Sequence, residues 1–327
     1  MNGTALSFAC HFAAALSLGF AAPPAASQAW PVKPVRIVVP FPAASGADIL
    51  ARAVGTKLTE RAGQQVLVDS RPGASGVIAA EIVVRAPADG YTLMLGTSSS
   101  HAINVSTRQN LPYDPLRDFS AVSLVARVPM LLMAHPSIPI ANARELIAFA
   151  RARPGQLTFA TAGNGTTGHL AGELFKSMAG VDIVHVPYRG SPQALLDAVA
   201  GQVSLAIGPV LTGLPQVKAG KLKALAVTTP ARSASAPEVP TLADSGLPGY
   251  EATLWYGLFA PAATPREIVG RLSGEVVAIL RLPDVRASLQ TQGAEPGGNS
   301  PDAFTAFVKS EIEKWTKVVK SAGLRAD

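Results

Sequence analysis

Beyond residue 29 this chain of 327 residues contains no cysteine; its single one is Cys10. A disulfide framework and thiolate catalysis are therefore excluded from all but the first segment. Aromatic residues make up 6 %, and Lys and Arg are scattered, with no basic run interleaved with aromatics. Nucleic acid is thus not an expected partner, although the net charge of +6 would concentrate small anions. Five histidines, one of them within the first 29 residues, show no ligand spacing, and no metal or other cofactor is expected. After residue 29 no apolar run approaches the ~20 residues of a membrane span.

The first 29 residues lack Asp, Glu, Lys and Arg altogether. Residues 5–22 are mostly small and apolar, followed by Pro23, Pro24 and the small pair Ser27 and Ala29. Residues 1–29 are expected to be a signal peptide, and the protein periplasmic. The missing positive n-region leaves an uncleaved anchor as the alternative. Lipidation of Cys10 is disfavoured, because Ser7, Phe8 and Ala9 make a poor lipobox.

The most informative stretch is 158–175, TFATAGNGTTGHLAGELF. It predicts a short strand, a loop rich in glycine and hydroxyls, and an amphipathic helix, so unpaired N–H groups converge at a helix N-terminus and favour an anion. Gly163 and Gly168 have the spacing of a phosphate loop, but His169 and Leu170 occupy the positions of its Lys and Ser/Thr. Nucleotide hydrolysis is a poor match. A small carboxylate is the better guest.

Similar strand-to-helix junctions recur. Strands are predicted at 35–41, 65–69 and 90–96, with Ser45 and Asp48 as a capping box before a helix running to Gly63. A second half restarts after a strand-like stretch at 122–134. It has helices at 142–153 and 191–200 and strands at 181–187, 203–207 and 222–228. Residues 230–248 read as a Pro/Ser-rich crossing without periodicity, in whose continuation Trp255 is expected to pack. Helices at 265–280 and 301–322 close the chain. The alternation implies an α/β fold of mostly parallel sheets, with ligand loops at 42–48, 72–76, 97–101, 163–169 and 188–191 outside the strand ends.

With these stretches in order, the chain resembles the solute-binding proteins of tripartite tricarboxylate transporters, the Bug-type family. The resemblance rests on 30–41 (WPVKPVRIVVPF), 71–74 (RPGA), 89–93 (DGYTL), 111–115 (LPYDP), the 163–169 loop, 186–190 (VPYRG), 201–203 (GQV), 220–227 (GKLKALAV) and 238–241 (EVPT). It implies a two-lobed periplasmic binding protein of the type II-like, Venus-flytrap kind, each lobe a mostly parallel sheet flanked by helices. Lobe 1 would comprise 30–127 and 251–327, lobe 2 residues 128–250, with the ligand cleft between them. The function implied is capture of a small carboxylate by hinge closure, for delivery to the transporter's membrane subunits, by a monomeric protein. A sensory receptor reporting to a membrane kinase would share the same cleft.

In that resemblance the first lobe contributes Pro42, Ala44, Ser45 and Asp48, together with Thr97, Ser98 and Ser99. The second contributes Gly163, Asn164, Gly165, Thr166, Thr167 and His169, with Tyr188 and Arg189 nearby. Local alternatives exist for several: His169 and Arg189 as packing or capping groups, Asp48 as a helix cap, His101 and His185 as structural histidines. Two departures stand out. Ala44 and Ser45 replace the family's usual glycine pair, which should restrict positive φ there. Gly208 and Pro209 stand where many members carry an acid. A hydrolase using Ser98 or Ser99 with His101 lacks a nucleophile elbow and an identifiable acid partner, so no catalytic residue is expected.

Overall fold

The computed structural model describes residues 30–322; the expected signal peptide lies outside them. Among the described residues no helix is long and apolar enough to cross a membrane.

Two sheets share one strand. In the first, β1 (Val35–Val39) lies between β2 (Val66–Ser70) and β3 (Thr92–Thr97), all parallel. The helices α1 (Gly46–Ala62) and α2 (Val77–Val84) make the crossovers. After β3 the chain turns directly into a helical segment, a π-helical turn at Ser99–Ile103 continuing into α3 (Asn104–Thr107). Next comes β4 (Phe119–Ala134), a strand of 16 residues buried along most of its length.

The second sheet follows α4 (Ala143–Arg151), with β5 (Thr158–Thr161), α5 (Thr167–Ala179), β6 (Val184–Pro187), α6 (Ser191–Val199), β7 (Leu205–Pro209), α7 (Val210–Lys218) and β8 (Lys223–Val227). Strands β6, β5 and β7 are parallel, and β4 runs antiparallel to β7 and β8. The chain returns to the first sheet as β9 (Thr253–Pro261), antiparallel to both β3 and β4. It ends with α8 (Arg266–Arg281), α9 (Pro283–Thr291), the short β10 (Glu295–Pro296) and α10 (Pro301–Ala322).

Strand β4 changes sheets within one step. Pro129 pairs with Thr253 in the first sheet and Met130 with Pro209 in the second. A proline suits that point, because it has no N–H to donate to either ladder. The buried Thr228 laces the junction. Its N–H donates to Met130 O at 3.0 Å, its Oγ1 to Ala252 O at 2.6 Å, and its carbonyl accepts from Ala252 N at 2.9 Å.

Four elements depart from the sequence reading. Trp255 sits on β9, a central strand, rather than in the irregular crossing. The run from Thr253 to Pro261 is buried on both faces, so it shows no alternation, and Gly257 leaves room for the Phe304 ring. Helix α7 escaped notice because Pro215 and Gly213 interrupt it, and α9 because so short a segment has little periodicity. The 97–100 stretch is a strand end plus helix start rather than a plain loop.

His101 belongs to the core. It is fully buried, stacked on Phe259 at 3.8 Å between centroids, with its Nδ1 2.9 Å from Ser100 Oγ. Burial lowers its pKa from 6.5 to about 3. An unfolded chain therefore takes up a proton between those values while the folded one does not. Stability should rise with pH across this window and be lost as pH falls from about 6.5, by up to ~1.4 kcal/mol per pH unit from this group. His101→Gln is expected to flatten the decline of melting temperature between pH 6.5 and 4. Parallel profiles for the two proteins would rule out this linkage.

Candidate functional site

Four helix N-termini face the gap between the sheets: those of α1 and of the Ser99 turn on one side, and of α5 and α6 on the other. Each opens with N–H groups that have no intrahelical acceptor. Local sequence sets each entry. Ser45 accepts from Asp48 N at 3.3 Å, and the Asp48 carboxylate accepts from Ala44 N and from Arg52 Nε, both at 3.0 Å. The capping box is thus present with its return arm one residue early, on Ala44. Asp48 has only a 6 % exposed side chain and is committed to bracing this loop.

That brace explains a correction. Ala44 was expected to resist positive φ, yet it sits at φ 61°. The hydrogen bond to Asp48 holds it there against a penalty of ~1–2 kcal/mol for an L-residue. Position 44 keeps a glycine-like conformation without being glycine.

On the facing side Gly163 (φ 129°) and Gly165 (φ 70°) occupy conformations that favour glycine. Thr166 caps α5, accepting from His169 N at 3.4 Å, while its hydroxyl donates to Gly163 O at 2.7 Å. His169 turns back: its Nδ1 accepts from Gly165 N at 3.1 Å and its ring stacks on His185 at 4.2 Å. His185 Nε2 lies 2.7 Å from Thr161 Oγ1. Burial lowers both pKa values, that of His185 to about 3, with His169 and Lys176 adding to its shift. The pair braces the loop from behind.

The two sides touch directly. Ser98 Oγ is 2.7 Å from Thr167 Oγ1, and Thr167 N donates to Ser99 Oγ at 3.2 Å, all three residues being buried. Ser75 Oγ donates to Asn164 O in a short bond, and Gly190 packs against Pro42 so tightly that a Cβ would collide with the ring. Within these contacts lies a cavity of about 30 Å³, room for one or two waters. Ser45, Gly46, Ser99, Thr166, Thr167, Gly168 and Tyr256 supply its polar wall; Met130, Ile207 and Leu254 supply the apolar part. No charged side chain lines it.

Of the residues singled out in the sequence, Ser45, Ser99, Thr166 and Thr167 line this inner cavity. Gly163, Asn164, Tyr188 and Arg189 line a wider one, about 630 Å³, at its mouth. Thr97 is buried, its N–H and hydroxyl turned to Ser100, and Pro42 packs on Gly190. Gly46, Ser75 and Ser191 fall within the expected ligand loops 42–48, 72–76 and 188–191 without having been singled out, whereas Tyr256 and Arg108 escaped the sequence reading. Tyr256 is on the strand that was missed, and nothing local marks Arg108. The glycine-rich 72–76 loop does line the mouth. Ser98 and Ser99 face Thr167 while His101 faces Ser100 inside the core, so these residues form no serine–histidine pair at the cleft.

Residues 50–324 match the tripartite tricarboxylate transporter family receptor model. The chain belongs to this family. BugT of Bordetella pertussis is 36 % identical over 305 residues, covering 93 % of this chain and 94 % of that protein. Among solved structures, an R. palustris protein with adipate is 43 % identical with a TM-score of 0.89, covering 90 % of this chain and 99 % of that one. MatC from Rhodopseudomonas palustris with bound malate is 33 % identical with a TM-score of 0.84, covering 89 % and 100 %. The expected Bug-type resemblance and two-lobed periplasmic binding protein fold therefore hold. In this family receptor the antiparallel β9 joins the parallel strands of the first sheet, and the shared β4 connects the two sheets.

Proposed function

We propose that this chain captures a small carboxylate between its lobes and delivers it to the membrane subunits of a tripartite tricarboxylate-type transporter. The observation that carries the reading is the inner cavity at the helix entries of both lobes, where the hydroxyls of Ser45, Ser99, Thr166 and Thr167 stand beside apolar Met130, Ile207 and Leu254 with no charged group. Such donors contribute ~1.5–3 kcal/mol each to a carboxylate. They avoid the desolvation cost of a buried ion pair. The relatives solved with adipate and malate support the same ligand class.

The proposed site comprises Ser45, Ser99, Thr166 and Thr167 around one carboxylate, with Gly163, Asn164, Tyr188 and Arg189 at the mouth. Pro42, Ala44, Asp48, Thr97, Ser98, Gly165 and His169 shape and brace those loops. Lobe boundaries at 30–127 with 251–327, and 128–250, are supported by the change of sheet at Pro129 and by the Thr228 junction. The 30 Å³ cavity is too small for a molecule of several carbons, so the lobes must part to admit one and close over it. Export through residues 1–29 as a signal peptide completes the reading.

A thermal-shift screen of adipate, malate, hexanoate, benzoate and amino acids tests it. A true ligand at a hundredfold excess over Kd should add ~2.7 kcal/mol to stability. No shift with any acid, on protein shown to be folded and ligand-free, would overturn carboxylate capture.

A further inference from the structure

The inner cavity has a counterpart on the other face of the strands that join the two sheets. On β9, Leu254 and Tyr256 line the inner cavity, whereas Thr253 and Trp255 line a separate one of about 340 Å³. Successive side chains of a strand point to opposite faces, so the two cavities lie in front of and behind the same strand. Strand β4 agrees: Met130 lines the front cavity and Arg127, three residues earlier, the back one. Thr253 pairs with Pro129, at the step where β4 changes sheets. The back cavity therefore sits directly behind the crossing.

Its two walls belong to different sheets. One wall is Glu295, on β10 and paired with β4 at Arg127 in the first sheet, together with Phe307 and Glu311 of α10. That wall is tied to the first sheet. The Arg127 guanidinium lies over the Phe307 ring at 4.8 Å, and Glu311 accepts from Trp255 Nε1 at 3.0 Å. The opposite wall is the turn Thr229, Pro230 and Ala231, which leaves β8 of the second sheet. Thr229 Oγ1 donates to Ala231 O at 2.7 Å, inside the turn. Among the described residues no hydrogen bond or ion pair joins this turn to Glu295, Phe307 or Glu311. In front, by contrast, Ser75, Ser98 and Ser99 touch Asn164 and Thr167 directly. The walls meet in front and stand apart behind.

We propose that the back cavity is the clearance into which the 229–231 turn swings when the lobes part, so that its size sets how far the ligand-free protein opens. This rests on the closure reading above. A rotation about the crossing strands that separates the front walls brings the back walls together, because the two cavities lie on opposite faces of the axis. The turn then moves toward Glu295 and Phe307 until the clearance is filled. A ligand held by both front walls binds the closed form, so its apparent affinity scales with the fraction of free protein already closed. Ala231 is small and exposed, and leaves the clearance open. A large side chain there acts as a stop from behind.

The test joins small-angle X-ray scattering of the ligand-free protein to titration calorimetry with adipate and malate, on wild type, Ala231→Trp and Glu295→Trp. Glu295 is exposed on the other wall, so Glu295→Trp fills the same space and covers the case of a misfolded Ala231 variant, with circular dichroism reporting the fold. Without ligand, both variants should show a smaller radius of gyration than wild type. Both should bind adipate and malate tighter by about fivefold or more. The factor should be the same for the two acids, because neither position lines the inner cavity. Equal radii for the three proteins, tightening of one acid alone, or unchanged or weaker affinity for both would overturn the clearance. Wild type that binds no acid would overturn the carboxylate reading, and the scattering radii would still decide the hinge.

Discussion

Thr167→Val is expected to weaken binding of the acid that shifts the midpoint most by about 10- to 100-fold. Valine keeps the β-branched shape and the backbone N–H that donates to Ser99, so the helix entry survives. What disappears is the hydroxyl, which touches Ser98 at 2.7 Å and Ser99 at 3.4 Å across the lobe junction. Loss of one charge-assisted hydrogen bond of ~1.5–3 kcal/mol corresponds to that range of affinity. Titration calorimetry measures the change directly, and circular dichroism of the free protein checks that the fold persists. Unchanged affinity would remove the hydroxyl cluster from the binding site.

The second large effect concerns stability. Glu311 on α10 is nearly buried, and its Oε2 accepts from both Trp255 Nε1 at 3.0 Å and Trp315 Nε1 at 3.2 Å. Trp255 belongs to β9 and Trp315 to α10, so a single carboxylate ties the last helix to a central strand. Glu311→Leu would strand two indole donors in the core, at roughly 3–5 kcal/mol together. For a protein of this size the melting temperature should fall by about 8 °C. Glu311→Gln, which keeps one acceptor oxygen, should lie between. A Leu variant melting within about 2 °C of wild type would show that packing alone docks α10. Because α10 also packs on the Ser99 turn and α3, the Leu variant should weaken ligand binding secondarily.

The contrast between these two sites shows what can be read without coordinates. Thr166 and Thr167 are legible in the sequence because a cap and a positive φ are local requirements. A hydroxyl before a helix, and glycines where side chains are excluded, announce themselves within a few residues. Ser45 with Asp48 is legible for the same reason. Glu311 gives no such signal. Its two indole partners lie 56 and 4 residues away, and the more distant one sits on a strand whose uniform burial removes the alternation by which strands are found. Ala44 shows the limit of a local rule. Its Cβ opposes the backbone path, and the Asp48 brace overrides it.

By itself the sequence determined the family resemblance, with departures at 44–45 and 208–209, and the expectation of an anion at helix entries rich in glycine and hydroxyls. Those features depend on neighbours in the chain. Only the tertiary structure decided how small the inner cavity is, that Ser98 and Ser99 meet Thr167, that His169 braces rather than lines the cleft, and that Arg108 lines the same wider cavity as Arg189. Each of these is a distance between segments far apart in sequence, set by how two sheets pack around one shared strand.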